Sequence, residues 1–183
     1  RFRNVTGVQT CALPIFIPCL NEAAGIAGSL DALAPLRTRG VEVVVVDGGS
    51  SDNTVEFARP LADQVITSAR GRAMQMNAGA AQARGDVLLF LHADCRLPAR
   101  ADDLIVDGLN RAQKTWGRFD VTLTGRHPLL HVIAAMMNLR SRVTGVSTGD
   151  QGLFITRSLF EAVGRFPQLP LMEDRSEEHT FEL

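Results

Sequence analysis

The sequence predicts an α/β domain with a largely parallel central sheet flanked by helices. Val41–Val46 (VEVVVV) and Val87–Leu91 (VLLFL) are short apolar runs of the kind that form strands buried on both faces. Segments with helical spacing lie between and after them. Each run also ends in an abrupt polar stop, Asp47 before Gly48-Gly49 and His92-Ala93-Asp94.

In chain order, Phe16-Ile17 reads as the stub of a first strand, with Leu13 to Ile15 as a possible backward extension. Asn21 is placed to cap a helix with the stripe Ile26, Leu30, Leu33 and Leu36, closed by Gly40. After the Val41–Val46 strand a short helix begins near Asp52, and Gln64–Thr67 forms a short third strand. Arg72–Arg84 is a small-residue helix closed by Gly85, followed by the second buried strand. A helix from Pro98 to Gln113 leads to Gly117–Thr124 (GRFDVTLT), whose alternation predicts a strand with one wet face. Pro128–Arg142 is expected as a helix packed on the sheet, Gly152–Ile155 as a strand and Ser158–Val163 as a last short helix. An alternative for the helix starting near Leu129 is peripheral contact with an anionic membrane surface, because its apolar face ends in Arg140 and Arg142.

The chain of 183 residues suits one domain with a sizeable core. A net charge of -1 supplies no basic excess, so a nucleic-acid partner is not expected. Cys11, Cys19 and Cys95 form neither a metal-type pair nor an even disulfide framework, which fits a reducing, cytoplasmic setting. The two ends read differently from the rest. With one choice of codons, Val8–Ile15 (VQTCALPI) is the reverse complement of Arg175–Leu183 (RSEEHTFEL), save for a single base at Phe181. Mirrored ends resemble a library adapter translated in both directions. Residues 1–15 and 175–183 are therefore expected to be non-native, and the domain to occupy 16–174, with natural sequence continuing past Asp174.

Asp47 and Asp94 both follow buried strands, where the ligand crevice of an open α/β sheet lies. A partly desolvated carboxylate there needs a cation, a hydrogen-bond donor or a ligand. The first turn reads Pro18-Cys19-Leu20-Asn21-Glu22, without the G-x-G-x-x-G of dinucleotide sites, and the sequence has no Walker-type phosphate loop.

The segments FIPCLNEA, VVVVDGGSSDNT, GRAMQMNAGAAQARGDVLLFLHAD and PLMED, in this order, resemble the inverting family-2 glycosyltransferases with their GT-A-type nucleotide-sugar fold. The resemblance covers Phe16–Asp174. GRFDV, MNLRSRVTG and STGDQGLF are similar to a small bacterial subfamily, some of it labelled as arsenosugar-biosynthesis glycosyltransferases.

The resemblance implies a UDP-sugar donor and a hydroxyl acceptor, either a small molecule or lipid-linked. It places Pro18, Asn21, Glu22, Asp47, Arg72, Asn77 and Ala93 around the nucleotide sugar, with Asp47 on the base or ribose. Asp94 matches the second acid of a D-x-D motif for Mg2+ or Mn2+, and His92 stands at the first, as a possible metal ligand. Asp174 corresponds to the general base that takes the acceptor's proton, Glu173 to its support, and Asp150 and Gln151 to the acceptor side. Three other readings stay open: a sugar-phosphate nucleotidyltransferase, a non-catalytic binding module, and an inactive fragment of a transferase.

Overall fold

The computed structural model describes residues 13–125, 127–167 and 180–181. In chain order these form β1 (Ile15–Cys19), α1 (Ile26–Asp31), α2 (Ala34–Arg37), β2 (Val43–Asp47), α3 (Thr54–Ala58), β3 (Gln64–Thr67), α4 (Arg72–Gln82) and β4 (Val87–Phe90). There follow α5 (Ala101–Ala112), β5 (Trp116–Arg118), α6 (Leu129–Thr144), β6 (Ser147–Thr148), a 3-10 turn (Gly149–Gln151), β7 (Leu153–Thr156), α7 (Arg157–Ala162) and β8 (Thr180–Phe181). The six-stranded sheet has the order β3-β2-β1-β4-β7-β5. Its first four strands run parallel, and β7 is antiparallel to both neighbours. A separate pair joins β6 to β8. The mixed α/β fold with a mostly parallel sheet is the one the sequence predicts. The expected domain start at Phe16 falls inside β1, since Ile15 is already paired with Val43 and fully buried.

Side-chain alternation along the strands divides the core in two. Ile15, Ile17, Val43, Val45 and Leu89 face Ile26, Leu30, Leu36 and Ile105 on one side. Phe16, Val44, Val46, Leu88 and Phe90 face Met76, Ala80, Phe160 and Phe166 on the other. Helix α4 lies so close to the sheet that a Cβ at Gly79 would come within 2.6 Å of the Phe16 ring and 3.0 Å of Val46. Only glycine permits that approach.

Four local expectations are corrected. The first helix is broken into α1 and α2, because Pro35 in the first turn of α2 has no N–H to continue the ladder. Asn21 caps neither, since α1 begins beyond Gly25 and Asn21 is itself left-handed, with φ 56°. The strand predicted over 117–124 stops at Arg118. Beyond it the Phe119 N–H donates to the Gln151 carbonyl, while Asn138 binds both the N–H and the carbonyl of Val121. A side-chain amide thus replaces the strand ladder.

Helix α6 is the fourth correction. Its buried positions are Ala134 and Ser141, while Leu129, Val132, Met136, Leu139 and Val143 stand exposed. Polar bonds tether it: Arg118 donates to the Asn138 carbonyl, and Arg142 pairs with Asp120.

Candidate functional site

The order of the sheet reverses at β1, which has β2 on one side and β4 on the other. In open α/β sheets the crevice beyond the strand ends at such a point is where ligands bind. Pro18 helps to form it. The Pro14 and Phe16 carbonyls accept from Leu89 and Leu91 of the β4 segment. Pro18 comes next on that edge and has no N–H, and the β1–β4 register ends at Phe16 and Phe90. The residues after β1 and after β4 therefore leave the sheet unpaired with each other.

The turns after β1 and β2 are stitched together. The Asn21 N–H donates to Ser50 Oγ at 2.9 Å, and Asn21 Oδ1 accepts from the Ser51 N–H at 2.9 Å. The Glu22 N–H donates to Thr54 Oγ1 at 2.8 Å and the Ala23 N–H to Asp52 Oδ2 at 3.1 Å. Asp47 is buried, and its carboxylate accepts from the N–H groups of Gly49 (3.0 Å) and Ser50 (3.1 Å). These bonds turn the chain sharply after β2 and hold Glu22 facing the crevice side.

Beneath them lies a residue the sequence reading missed. Gln75 on α4 is buried, and its amide N–H groups donate to the carbonyls of Cys19 (2.8 Å) and Val46 (2.7 Å). It ties together the strand ends that carry Asn21, Glu22 and Asp47, sharing the Cys19 carbonyl with the Gly48 N–H, which donates to it at 3.0 Å. No sequence spacing marks this role, because it depends on partners 56 and 29 residues away.

Glu22, Arg72, His92, Asp94 and Asp150 converge electrostatically. Burial raises the Glu22 carboxyl above its ordinary value, the charge of Asp94 adds to the rise, and Arg72 opposes it. Asp150 is held below its ordinary value chiefly by its bond to His92, with Arg72 contributing at longer range. His92 Nδ1 lies 3.3 Å from Asp150 Oδ1. Its ring rests against Gly149, where an added Cβ would fall 1.9 Å from Nε2. Cys19 and Cys95 are both pushed up to about 12, first by burial and then by neighbouring carboxylates, which favours the neutral thiol at each.

The expected site residues thus fall into three groups. Glu22, Arg72 and Asp94 are exposed and share one region with Asp150 and His92. Pro18, Asn21, Asp47 and Ala93 shape the walls. Ala93 belongs to the apolar core, leaving only its backbone for a ligand. The third group is engaged elsewhere. Asn77 spends its amide on Phe166, donating to the carbonyl at 2.9 Å and accepting from the N–H at 3.1 Å. Gln151 is buried, accepting from the Thr148 N–H and donating to Asn138 Oδ1, so it supports the loop and does not face an acceptor. His92 turns Nδ1 toward Asp150 and rests its ring on Gly149, contacts that orient the imidazole. Glu173 and Asp174 lie outside the described residues.

Among the described residues no three His, Cys, Asp or Glu side chains are arranged to hold a metal by themselves. Asp94 is nevertheless exposed at the crevice, within electrostatic reach of Glu22. That donor set fits a hard divalent cation completed by oxygens of a ligand, and does not fit a resident protein-only cage.

The sheet order and the crevice beyond β1 and β4 define an α/β domain of the GT-A glycosyltransferase type. The solved mannosyltransferase from Pyrobaculum calidifontis, in complex with GDP-Man and Mn2+, superposes with a TM-score of 0.64 at 24% identity, over 88% of this chain and 48% of that one. Glucosyl-3-phosphoglycerate synthase from Mycobacterium tuberculosis, solved with Mn2+, UDP and glucosyl-3-phosphoglycerate, gives 0.56 at 20% identity, over 83% and 58%. The family model for glycosyl transferase family 2 matches residues 15–157, and the chain belongs to that family. Curated relatives include a PGL/p-HBAD biosynthesis glycosyltransferase of Mycobacterium bovis, 40% identical over 44% of this chain and 34% of its own length. The undecaprenyl-phosphate 4-deoxy-4-formamido-L-arabinose transferase of Yersinia pestis is 28% identical over 77% of this chain and 46% of its own. The chain spans less than half the length of these relatives.

Proposed function

We propose that this domain binds a UDP-sugar and transfers its sugar, with inversion, to a hydroxyl acceptor. The observation that carries the reading is the convergence of Glu22, Asp94 and Arg72 beyond the β1 and β4 ends, where the sheet order reverses. Solved relatives of this fold hold UDP or GDP-Man with Mn2+.

In this reading the stitched turns at Asn21–Ala23 and Gly49–Thr54 form the nucleotide wall, and Asp47 keeps that wall rigid through its bonds to Gly49 and Ser50. Arg72, in the first turn of α4, offers a guanidinium to the diphosphate. Asp94 would hold Mg2+ or Mn2+, which would supply charge neutralisation for the departing nucleotide. Asp150, kept ionised by His92, lines the acceptor side. Asp174, with Glu173 beside it, takes the acceptor hydroxyl's proton as the oxygen attacks the anomeric carbon. The relative from Yersinia pestis, named for undecaprenyl phosphate, supports a lipid-linked acceptor as one option beside a small molecule.

GRFDV, MNLRSRVTG and STGDQGLF interlock through Arg118, Asp120, Asn138, Arg142 and Gln151. The likeness of these segments to the arsenosugar-labelled subfamily is kept as part of this reading. A cytoplasmic setting belongs to this reading, supported by three cysteines whose spacing forms no disulfide framework. No helix among the described residues is long and apolar enough to cross a membrane.

Calorimetry of UDP with and without Mn2+, on the chain and on Asp94→Ala, tests the donor site. Saturable binding that Mn2+ strengthens and Asp94→Ala abolishes is expected. Absence of UDP binding by the folded chain refutes the reading.

A further inference from the structure

We propose that the outward face of α6 docks on an anionic lipid bilayer. The inference stands apart from the donor-site reading and rests on the helix itself.

Leu129, Val132, Met136, Leu139 and Val143 follow one another at alternating steps of three and four residues, so they form a single stripe along a helix. All are more than half exposed, Met136 at 66% and Val143 at 76%. Ile133 widens the stripe at 41%. The opposite side, which faces the protein, carries Ala134, Asn138 and Ser141. The amphipathicity is therefore inverted: the polar and small side is tethered to the domain and the apolar side is presented outward. A contiguous apolar stripe of this kind marks an interaction surface.

Charge selects the occupant. From Val121 to Gly149 the sequence contains no Asp or Glu, while it holds Arg126, His127, His131, Arg140 and Arg142, of which Arg142 shares its charge with Asp120 in an exposed ion pair. The Arg140 Nε–H is buried and finds no hydrogen-bond partner among the described residues. A second copy docked on the stripe would set these cations against an equally acid-free helix. A surface of anionic headgroups over acyl chains matches both the stripe and its cationic flank. The 16-residue helix is about 24 Å long, sufficient to lie in the interface and too short to span the bilayer.

Sedimentation of the chain with vesicles of phosphatidylcholine, with and without phosphatidylglycerol, tests this. The chain is expected to partition onto the phosphatidylglycerol vesicles, to be released as salt rises, and to bind phosphatidylcholine alone weakly. Met136→Glu and Leu139→Glu should each lower the partition roughly tenfold, since each removes the burial of one large apolar side chain. Both sites are exposed, and circular dichroism checks that the fold persists. Should either unfold the chain, Val143→Glu at the end of the helix replaces it with the same expectation. No partition onto anionic vesicles overturns the proposal, as does partition that these variants leave unchanged. Light scattering that shows a dimer, dissociated by Met136→Glu and indifferent to vesicles, assigns the stripe to a second copy and overturns it equally.

Discussion

Asn77 and Phe166 are paired through the backbone of one and the side chain of the other. The Asn77 amide donates to the Phe166 carbonyl and accepts from its N–H, across 89 residues of sequence. The contact pins the chain that leads from α7 toward FPQLPLMED against α4. The family resemblance instead places Asn77 at the nucleotide, and one variant separates these roles. Asn77→Ala should lower stability by about 1–3 kcal/mol, the cost of leaving backbone groups unpaired. UDP affinity, measured by calorimetry, should stay within about twofold. A tenfold fall in affinity with unchanged thermal stability would return Asn77 to the nucleotide site.

Gln75 offers a second test of how the crevice is held. Its side chain lies 3.1 Å from where a Cβ on Gly48 would stand, so the turn after β2 folds directly over it. Gln75→Leu keeps the volume and removes both donors to Cys19 and Val46. The Val46 carbonyl then loses its amide donor while the Cys19 carbonyl keeps the Gly48 N–H at 3.0 Å, and unfolding free energy should drop by roughly 1–3 kcal/mol. The nucleotide wall shifts with the strand ends, so UDP affinity should fall in the same variant. Chemical denaturation together with calorimetry reads both. A Gln75→Leu protein with wild-type stability and affinity would show that the Val46 carbonyl finds another partner.

These two residues also show how far the sequence could be read. The parallel core was legible because VVVV and VLLF leave no polar position that could face water, and four parallel strands result. The polar stops after those strands located the crevice. Gln75 and Asn138 were missed, and the bonds of Asn77 to Phe166 were not foreseen, because an amide's task depends on which distant backbone it meets. Arg157 is similar: it donates to the carbonyls of Ala80, Ala83 and Gly85 and so closes α4, a role assigned from sequence to Gly85. The 117–124 strand failed for the same reason, since alternation cannot foresee that Asn138 will bind Val121. Helix α6 shows a different limit. Periodicity identifies an apolar stripe and leaves open whether it faces the domain or the outside.

The acid limit of stability should depend on Asp63. Arg37 donates to both oxygens of this carboxylate, and the Val43 N–H donates to Oδ2 at 2.8 Å. The bond from Arg37 is the main reason the Asp63 carboxyl sits below its ordinary value of 3.8. A carboxyl with a depressed folded-state value stabilises the fold fully above its unfolded value. That contribution is lost as pH falls through the folded value. The pair is partly exposed, so it is worth no more than about 1 kcal/mol. Arg37→Met should therefore move the acid-unfolding midpoint, followed by circular dichroism, to higher pH, while stability near neutrality drops only slightly. An unchanged midpoint would mean that the Val43 bond alone sets the Asp63 value.

His92 and Asp94 stand two residues apart on the same turn, and the structure gives them different work. His92 Nδ1 faces Asp150 Oδ1 at 3.3 Å and its ring covers Gly149, whereas Asp94 is exposed and its charge is felt at Glu22. If Asp94 alone carries the cation, Asp94→Asn should remove the strengthening of UDP binding by Mn2+. His92→Ala should retain that strengthening within about threefold, and lower stability through the lost packing on Gly149. Gly149→Ala provides an independent approach, since its methyl group would occupy the space of the imidazole and displace it at a cost of about 1–3 kcal/mol. Both variants should keep the Mn2+ response. Its loss in His92→Ala and Gly149→Ala, with Asp94→Asn still responsive, would place the cation on the histidine and leave the carboxylate a structural role.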